Sequence, residues 1–366
     1  MNIYSSIVRP LLFKIDPELV HNFFIAMGAK LGHLSPIINL LHSNYNIEDA
    51  RLESKIDGIL FKNPIGLAAG YDKSGQSIQF LESLGFSHIE IGSISAESSI
   101  GNPKPRLFRL PEDKALVVHY GLQNDGAEAV AKRLNLIKRK CPLGINIVKT
   151  NRGINAPQDN EDTILKDFEK SALLLKDHGD YLTFNMSCPN TEMGRDYFAD
   201  KEHIVRFLTV LSDINFKCPV FLKISPVGGI ETIEKYLETV DSFSFVSGFI
   251  FNLPPGKSVP LKTSEEVWKQ LPGAISGKPI ESLINYSIGE MYKRMDSSKY
   301  SIIGAGGVFS AEDAYRKITL GSSVVQLLTS MVYNGPSVVK KINEGLIQLF
   351  EADGFKDISE AIGTAH

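Results

Sequence analysis

Cysteine is scarce in this chain, and an excess of basic charge is lacking. The three cysteines among 366 residues, Cys141, Cys188 and Cys218, show no Cys-x-x-Cys spacing. Neither a disulfide framework nor a metal site is therefore indicated, and a reducing, cytosolic compartment fits best. The formal net charge is -3 and the sequence pI is about 6.3, which provides no overall basic field for nucleic acid. Any anion site must be built locally.

Long apolar runs and export signals are also lacking. The first residues do not combine a basic segment, a long apolar segment and a small-residue cleavage site, and no run of about 18 apolar residues occurs. We therefore predict a chain that is neither exported nor membrane-spanning. With 43% hydrophobic and 22% charged residues, it has the composition of a globular protein with a sizeable core.

Residues 1–42 differ in pattern from the rest of the chain. Asp16-Pro17 is typical of a helix N-cap followed by proline at the first helical position, and a second short helix is predicted after Ser35-Pro36. The first helix carries an apolar stripe with large aromatic members at helical spacing. This stripe fits either a helical hairpin packed on the main core or a surface that touches lipid.

From about residue 60 onward, short apolar segments alternate with amphipathic helical stretches. Eight such alternations favour a (β/α)8 TIM barrel with a small N-terminal helical extension over an open doubly wound sheet. The predicted strands are 65–70, 88–95, 143–150, 181–188, 220–225, 248–253, 301–307 and 324–329, and the predicted helices are 74–84, 124–140, 161–178, 200–215, 230–241, 281–295, 310–319 and 335–353.

Polar residues recur near the ends of these strands, where such barrels have their active sites. Lys73, Ser93, Asn146, Asn185 and Lys223 occupy comparable positions on five different strands or the loops after them. A buried polar group without a partner costs about 1–3 kcal/mol. A bound polar heterocycle could provide hydrogen-bonding partners for all five of these side chains, and we therefore expect one at this site.

The sequence Gly-Ala-Gly-Gly at 304–307 precedes a predicted helix at the seventh strand. Exposed backbone N–H groups before a helix form an anion cradle, and barrels frequently bind phosphate at the loops after strands 7 and 8. Phosphate together with amides and lysines describes a flavin mononucleotide (FMN) site. Lys223 is the candidate for the positive group that stabilises the reduced, anionic flavin.

Motifs over nearly the whole chain resemble those of the dihydroorotate dehydrogenase family, in the quinone-dependent class that has an N-terminal helical extension. The stretches that carry this resemblance are VRPLLFKIDPELVHNF at 7–22, KNPIGLAAGYDKSG at 62–75, HIEIGSIS at 88–95, GNPKPRLFRLPED at 101–113, GINIVKTN at 144–151, NMSCPNT at 185–191, SGKP at 276–279, IIGAGGV at 302–308 and VVQLLTS at 324–330.

The resemblance implies oxidation of dihydroorotate to orotate in pyrimidine biosynthesis, with FMN as cofactor and a quinone as electron acceptor. It implies a quinone tunnel under residues 1–42, lined by His21 and Arg109, a barrel domain at 43–366, and peripheral attachment to the cytoplasmic face of the inner membrane. The implied cofactor-binding residues are Ala69, Gly70, Lys73, Ser93, Asn146, Asn185, Lys223, Gly277, Gly306, Leu328 and Thr329. The implied substrate-binding residues are Lys73, Tyr120, Gly121, Leu122, Asn185, Asn190 and Asn252.

Several positions depart from the pattern of this class. Cys188 stands where the proton-abstracting base is usually serine, and an unperturbed thiol, with a pKa of about 8.5, is a far better base than a hydroxyl. Val118 replaces a substrate-binding asparagine, and Leu328 replaces a tyrosine on the eighth strand. Phe251 and Leu253 replace the two threonines that flank Asn252.

Because a pocket loses selectivity when one hydrogen-bonding partner becomes apolar, these changes leave an alternative open. That alternative is a paralogous FMN oxidoreductase acting on a different dihydropyrimidine-like or other substrate. A third hypothesis, a flavin-binding or membrane-docking protein without catalysis, is disfavoured by the presence of Lys73, Asn185, Cys188 and Asn190.

Overall fold

A computed structural model of the chain describes residues 3–153, 155–157, 159–187 and 197–366. A π-helical turn (Tyr4–Val8) and three α-helices open the chain: α1 (Arg9–Leu12), α2 (Pro17–Leu31) and α3 (Ser35–Tyr45). The Asp16 carboxylate accepts the Leu19 N–H at 2.9 Å and caps α2, as the Asp-Pro pair predicted. No single described helix is long and apolar enough to cross a bilayer. Helices α2 and α3 would pass that test only as a pair, and they meet at 114°.

The described ranges contain thirteen strands, of which eight belong to one closed sheet. In chain order they are β1 (Ser54–Ile56), β2 (Ile59–Phe61), β3 (Ile65–Leu67), β4 (Ile89–Ile94), β5 (Leu107–Leu110), β6 (Ala115–Val118), β7 (Leu143–Ile147), β8 (Tyr181–Asn185), β9 (Val220–Ile224), β10 (Val246–Phe251), β11 (Ala274–Gly277), β12 (Ser301–Ala305) and β13 (Val324–Leu327).

The closed sheet is a parallel barrel in which each strand pairs with the next one along the chain. Its order is β3, β4, β7, β8, β9, β10, β12 and β13, and β13 returns to pair with β3. Most of these strands are buried along their whole length, because side chains fill the barrel and helices cover its outside. The predicted fold class, a (β/α)8 barrel with N-terminal helices, is confirmed.

Helices occur at all eight predicted places, and three further short α-helices in the described part of the barrel, at 265–268, 329–334 and 358–361, were not predicted. Those between and after the strands are α4 (Ile78–Glu82), α5 (Ala127–Leu134), α6 (Glu161–Leu175), α7 (Lys201–Ser212), α8 (Gly229–Val240), α9 (Glu265–Trp268), α10 (Glu281–Arg294), α11 (Ala311–Thr319), α12 (Thr329–Asn334), α13 (Val338–Asp353) and α14 (Ile358–Ala361). Several strands and helices are shorter than predicted, since polar and glycine residues at the strand ends belong to loops.

Two antiparallel additions escape the sequence pattern. The β1–β2 hairpin packs Ile56 and Phe61 against Tyr181 and Phe221, which closes the amino-terminal end of the barrel. Strands β5, β6 and β11 form a three-stranded sheet from insertions after β4 and β10, with β6 in the middle. Because both insertions leave the carboxyl ends of barrel strands, this second sheet lies on the side where active sites form.

Candidate active site

A cavity of about 420 Å³ lies at the carboxyl ends of the barrel strands, within the range of about 300–1,000 Å³ usual for ligand pockets. Barrel strands and their loops contribute most of its polar residues, and the N-terminal helices contribute much of its apolar wall. The β5–β6–β11 sheet contributes Leu107, Arg109, Leu116, Val118 and Ser276. Segments far apart in sequence therefore meet around one cavity.

A buried carboxylate, Glu90, organises the floor of the cavity from the second residue of β4. It accepts a hydrogen bond from Asn146 Nδ2 at 2.8 Å and from Gln326 Nε2 at 3.0 Å. Lys223 Nζ lies 3.7 Å from the same carboxylate. Ligand-facing Gln326 and Lys223 are thus fixed from behind by a group that does not itself line the cavity.

A second chain of hydrogen bonds fixes the amides. Ser93 Oγ donates to Asn146 Oδ1 at 2.5 Å, and Asn185 Nδ2 donates to Ser93 Oγ at 3.3 Å. Asn252 Nδ2 donates to Asn185 Oδ1 at 3.0 Å and to the Ser187 carbonyl at 3.1 Å. These bonds run across four strands or strand ends, so each amide has a defined orientation before any ligand binds.

Lys73 joins the floor to the N-terminal helices. Its Nζ lies 2.9 Å from His21 Nε2 and 4.0 Å from the centre of the Tyr120 ring. Burial lowers the pKa of Lys73 to about 7, against the opposing effects of Asp72 and Glu18. Burial, with a smaller contribution from the Lys73 charge, also holds the pKa of His21 well below its usual range. His21 is therefore a neutral acceptor for this lysine.

The glycine-rich loop after β12 lies at another side of the cavity. Gly306 and Gly307 have φ values of 90° and 76°, in the left-handed region that favours glycine. Ser310 and Asp313 then cap α11 reciprocally, and Lys278 Nζ donates to Asp313 Oδ1 at 2.6 Å. The loop is held in a shape that presents backbone groups to the cavity, as an anion cradle requires.

The opposite end of the cavity is apolar. Its walls there come from α1, α2, α4 and the β13–α12 segment, and their lining side chains are Leu12, Val20, Phe24, Met27, Phe80, Leu328 and Met331. Arg109 supplies a polar edge, and its Nη1 donates to the Ile15 carbonyl at 2.8 Å. Entry of an apolar molecule into this end is favourable, because it removes apolar surface from water.

One buried ion pair fastens α2 to the barrel. Glu18 and Arg106 are each about 4% exposed, and Arg106 Nη2 lies 2.8 Å from Glu18 Oε1. Arg106 also donates to the Ile100 and Asn102 carbonyls and to Gln123. Glu18 is three residues from His21, so this pair holds the helix that places His21 beside Lys73.

The structure brings nearly all the described candidate residues to the cavity wall. Asn146 is the exception: it lies behind the wall and reaches the cavity through Ser93. Cys188 and Asn190 lie outside the described residues. The candidates that line the cavity are His21, Ala69, Gly70, Lys73, Ser93, Arg109, Tyr120, Gly121, Leu122, Asn185, Lys223, Asn252, Gly277, Gly306, Leu328 and Thr329.

Several residues of the site were missed by the sequence analysis. Glu90 had a detectable signal in the sequence, since it is a lone carboxylate inside an apolar strand. Gln326 is likewise a lone amide inside an apolar strand. The Glu18–Arg106 pair spans 88 positions and had no local signal. Ser330 also lines the cavity, but a serine next to Thr329 carries no pattern of its own.

The fold and the site together define the class of protein. A (β/α)8 barrel with lysines and amides at its strand ends and a glycine-rich loop after the seventh strand is typical of flavin-dependent oxidoreductases. Comparison with known proteins then identifies the family. The sequence profile of dihydroorotate dehydrogenase matches residues 51–350.

Curated relatives match over the full chain. Dihydroorotate dehydrogenase (quinone) of Trichodesmium erythraeum is 35% identical over 100% of both chains, and that of Natronomonas pharaonis is 34% identical over 99% of both. The crystal structure of ligand-free DHODH from Eimeria tenella is similar, with a TM-score of 0.83 and 29% identity over 96% of this chain and 99% of that one. The chain belongs to the dihydroorotate dehydrogenase family.

Proposed function

We propose that the chain oxidises dihydroorotate to orotate with bound FMN and passes the electrons to a quinone. The observation that carries this proposal is one cavity with two chemically different ends. Its floor has lysines and oriented amides, which suit a polar heterocycle, and its far wall is apolar and roofed by the N-terminal helices. The curated relatives named as quinone-dependent enzymes support the same assignment.

The residues present fit FMN. Gln326 Oε1 and Ser330 Oγ are buried at the cavity without a hydrogen-bond partner among the described residues, so the site has polar capacity for a ligand. Lys223 supplies positive charge, and the loop at Gly306 supplies backbone donors for a phosphate. FMN, when bound, supplies the two-electron chemistry that side chains lack. The proposed holding set is Ala69, Gly70, Lys73, Ser93, Asn146, Asn185, Lys223, Gly277, Gly306, Leu328 and Thr329.

For the substrate, we assign binding to the amides and the lysine that face the cavity and proton abstraction to Cys188. Asn185 and Asn252 are locked to each other by a 3.0 Å hydrogen bond, which orients their remaining polar atoms. In its protonated form, Lys73 would pair with the carboxylate of dihydroorotate. The Cys188 thiolate would then take a proton from substrate carbon. Asn190, Tyr120, Gly121 and Leu122 complete the proposed set.

An anaerobic titration tests the proposal. Purified holoprotein mixed with dihydroorotate should lose the visible absorbance of oxidised flavin and form orotate, and added quinone should restore the absorbance. Protein that dithionite bleaches and dihydroorotate does not would overturn the substrate assignment.

A second candidate function, that of a paralogous FMN oxidoreductase with a different substrate, is favoured by two side chains on the cavity wall. Val118 and Leu253 both line it and offer no hydrogen bond to a polar ring. The same titration with other dihydropyrimidines separates the two candidates. Bleaching by one of these and not by dihydroorotate would support the paralogous oxidoreductase.

We further propose that residues 1–42 form the quinone tunnel, with His21 and Arg109 in its wall, and attach the protein peripherally to the cytoplasmic face of the inner membrane. Residues 43–366 form the barrel domain, so the proposed boundary falls in the last turn of α3. Exposed apolar side chains on this segment support the attachment, among them Ile7, Leu11, Ile15, Leu19, Phe23 and Leu40.

Vesicle sedimentation tests the attachment. Phe23 is 62% exposed on α2, and Phe23→Glu should reduce co-sedimentation with phospholipid vesicles. Leu136, which is 85% exposed on the barrel, provides the matched control, since Leu136→Glu should leave co-sedimentation unchanged. Equal loss of co-sedimentation in both variants, or no loss in either, would contradict a membrane contact through α2.

A further inference from the structure

The buried carboxylate beneath the cavity floor has no role in the steps proposed above. Building on that proposed function, we propose that Glu90 is a positioning residue that keeps the redox potential of the bound flavin low by acting as the counter-charge of Lys223. It does so from behind the cavity wall, without contacting the ligand. Glu90 is 0% exposed and is absent from the lining of the cavity, whereas Lys223 belongs to that lining.

The contacts of Glu90 are those of an ionised group. Asn146 and Gln326 donate to it at 2.8 and 3.0 Å, and Tyr181 Oη and Thr183 Oγ1 donate at 3.3 Å. Lys223 Nζ lies 3.7 Å away. Four donors and one ammonium around two carboxylate oxygens satisfy the lone pairs of a carboxylate and stabilise its negative charge.

Joining the barrel strands through hydrogen bonds would not by itself require charge at this position. Four of these partners are neutral donors, and a neutral amide could join the same four strands, β4, β7, β8 and β13, through hydrogen bonds. Burying an ion costs free energy that a neutral side chain avoids. The charge at Glu90 therefore has an effect of its own, and the nearest ligand-facing group on which it acts is Lys223.

The direction of that effect follows from Coulomb's law. Positive charge at Lys223 favours the reduced, anionic flavin, and the Glu90 carboxylate offsets part of it. Removing the carboxylate strengthens the positive field at the cavity. The equilibrium between oxidised and reduced flavin then shifts towards the reduced form, and the midpoint potential rises.

The test is anaerobic redox titration of the FMN-loaded protein against reference dyes. Glu90→Gln should favour the reduced flavin by about tenfold or more, which for a two-electron couple corresponds to a rise of about 30 mV. Thr183→Val is the matched control, because it removes one hydrogen bond to Glu90 and leaves every charge in place. It should change the equilibrium by less than about threefold.

A second pair of variants covers the case in which Glu90→Gln leaves Lys223 unpaired and the protein does not fold. Lys223→Met alone should lower the midpoint potential of the flavin. The double variant Lys223→Met with Glu90→Gln buries no lone charge, and its midpoint potential should be higher than that of Lys223→Met. No difference between members of either pair, or an equal shift in Thr183→Val, would overturn the inference. Wild-type protein that does not bind FMN, or is not reduced by substrate, would instead overturn the proposed function.

Discussion

The two ends of the cavity are built in opposite ways. At the barrel end, Glu90, Asn146, Asn185 and Lys223 come from four strands and hold one another through hydrogen bonds and charge. At the helical end, α1, α2, α4 and the β13–α12 segment supply side chains such as Val20 and Phe24, and the wall is apolar. The first end suits a polar ligand of defined shape, whereas the second suits an apolar one.

Under the proposed function, this contrast would let one cavity serve two half-reactions. Hydrogen-bond networks specify a unique geometry but tolerate few changes, because each lost partner leaves another group unsatisfied. Apolar walls tolerate substitution as long as volume is conserved. Changes at the barrel end should therefore act on substrate oxidation, and changes at the helical end on electron transfer to quinone.

The largest expected effect is at the barrel end. Cys188→Ala removes the proposed base and should slow flavin reduction by dihydroorotate by about 10²–10⁴-fold, with FMN content unchanged. Cys188→Ser, which keeps a weaker proton acceptor, should lose less. Stopped-flow absorbance measures this half-reaction, and reoxidation of dithionite-reduced protein by quinone should be unaffected. Undiminished reduction in the alanine variant would remove Cys188 as the base.

The next largest effect is expected at the Glu18–Arg106 ion pair, which fastens α2 to the barrel. Glu18→Ala leaves Arg106 buried without its counter-charge, which should lower the free energy of unfolding by about 3–5 kcal/mol. Urea denaturation measures the loss. Glu128→Gln, which breaks the exposed pair with Lys132, should leave stability unchanged. Similar stability in both variants would mean that α2 does not depend on this ion pair.

A change at the helical end should act on quinone alone. Val20→Trp adds volume to the apolar wall and should slow reoxidation of reduced protein by quinone by about tenfold, because over-packed sites exclude ligand or shift their neighbours. Flavin reduction by dihydroorotate should stay the same. Phe23→Trp on the exposed side of α2 provides the control. Equal slowing of both half-reactions by Val20→Trp would contradict the assignment of one half-reaction to each end of the cavity.

The smallest expected effect concerns Lys73, which lies between the two ends. Its pKa of about 7 means that the ammonium is present below that pH and is lost above it. Affinity for orotate, an anion, should therefore fall as pH rises through 7, by at most about tenfold per pH unit. Spectral titration of the oxidised holoprotein measures this slope. Lys73→Met should abolish it, and Lys149→Met, outside the cavity lining, should retain it.

Local patterns predicted much of the fold. Eight alternating segments identified the barrel strands, and Asp16-Pro17 identified the start of α2. The hairpin β1–β2 and the sheet β5–β6–β11 were missed because their short strands stand outside the alternation of strands and helices that identified the barrel strands.

For the site, the sequence by itself determined which residue types stand at the ends of strands, because a strand of known direction places its last residues at a known edge. Lys223 and Asn185 were identified in this way. Only the tertiary structure decided what surrounds them. The contact of Lys73 with His21 joins residues 52 positions apart, and that of Gln326 with Glu90 joins residues 236 apart. Such contacts depend on barrel closure and helix docking, and these in turn depend on the summed packing of the whole chain, which no local pattern records.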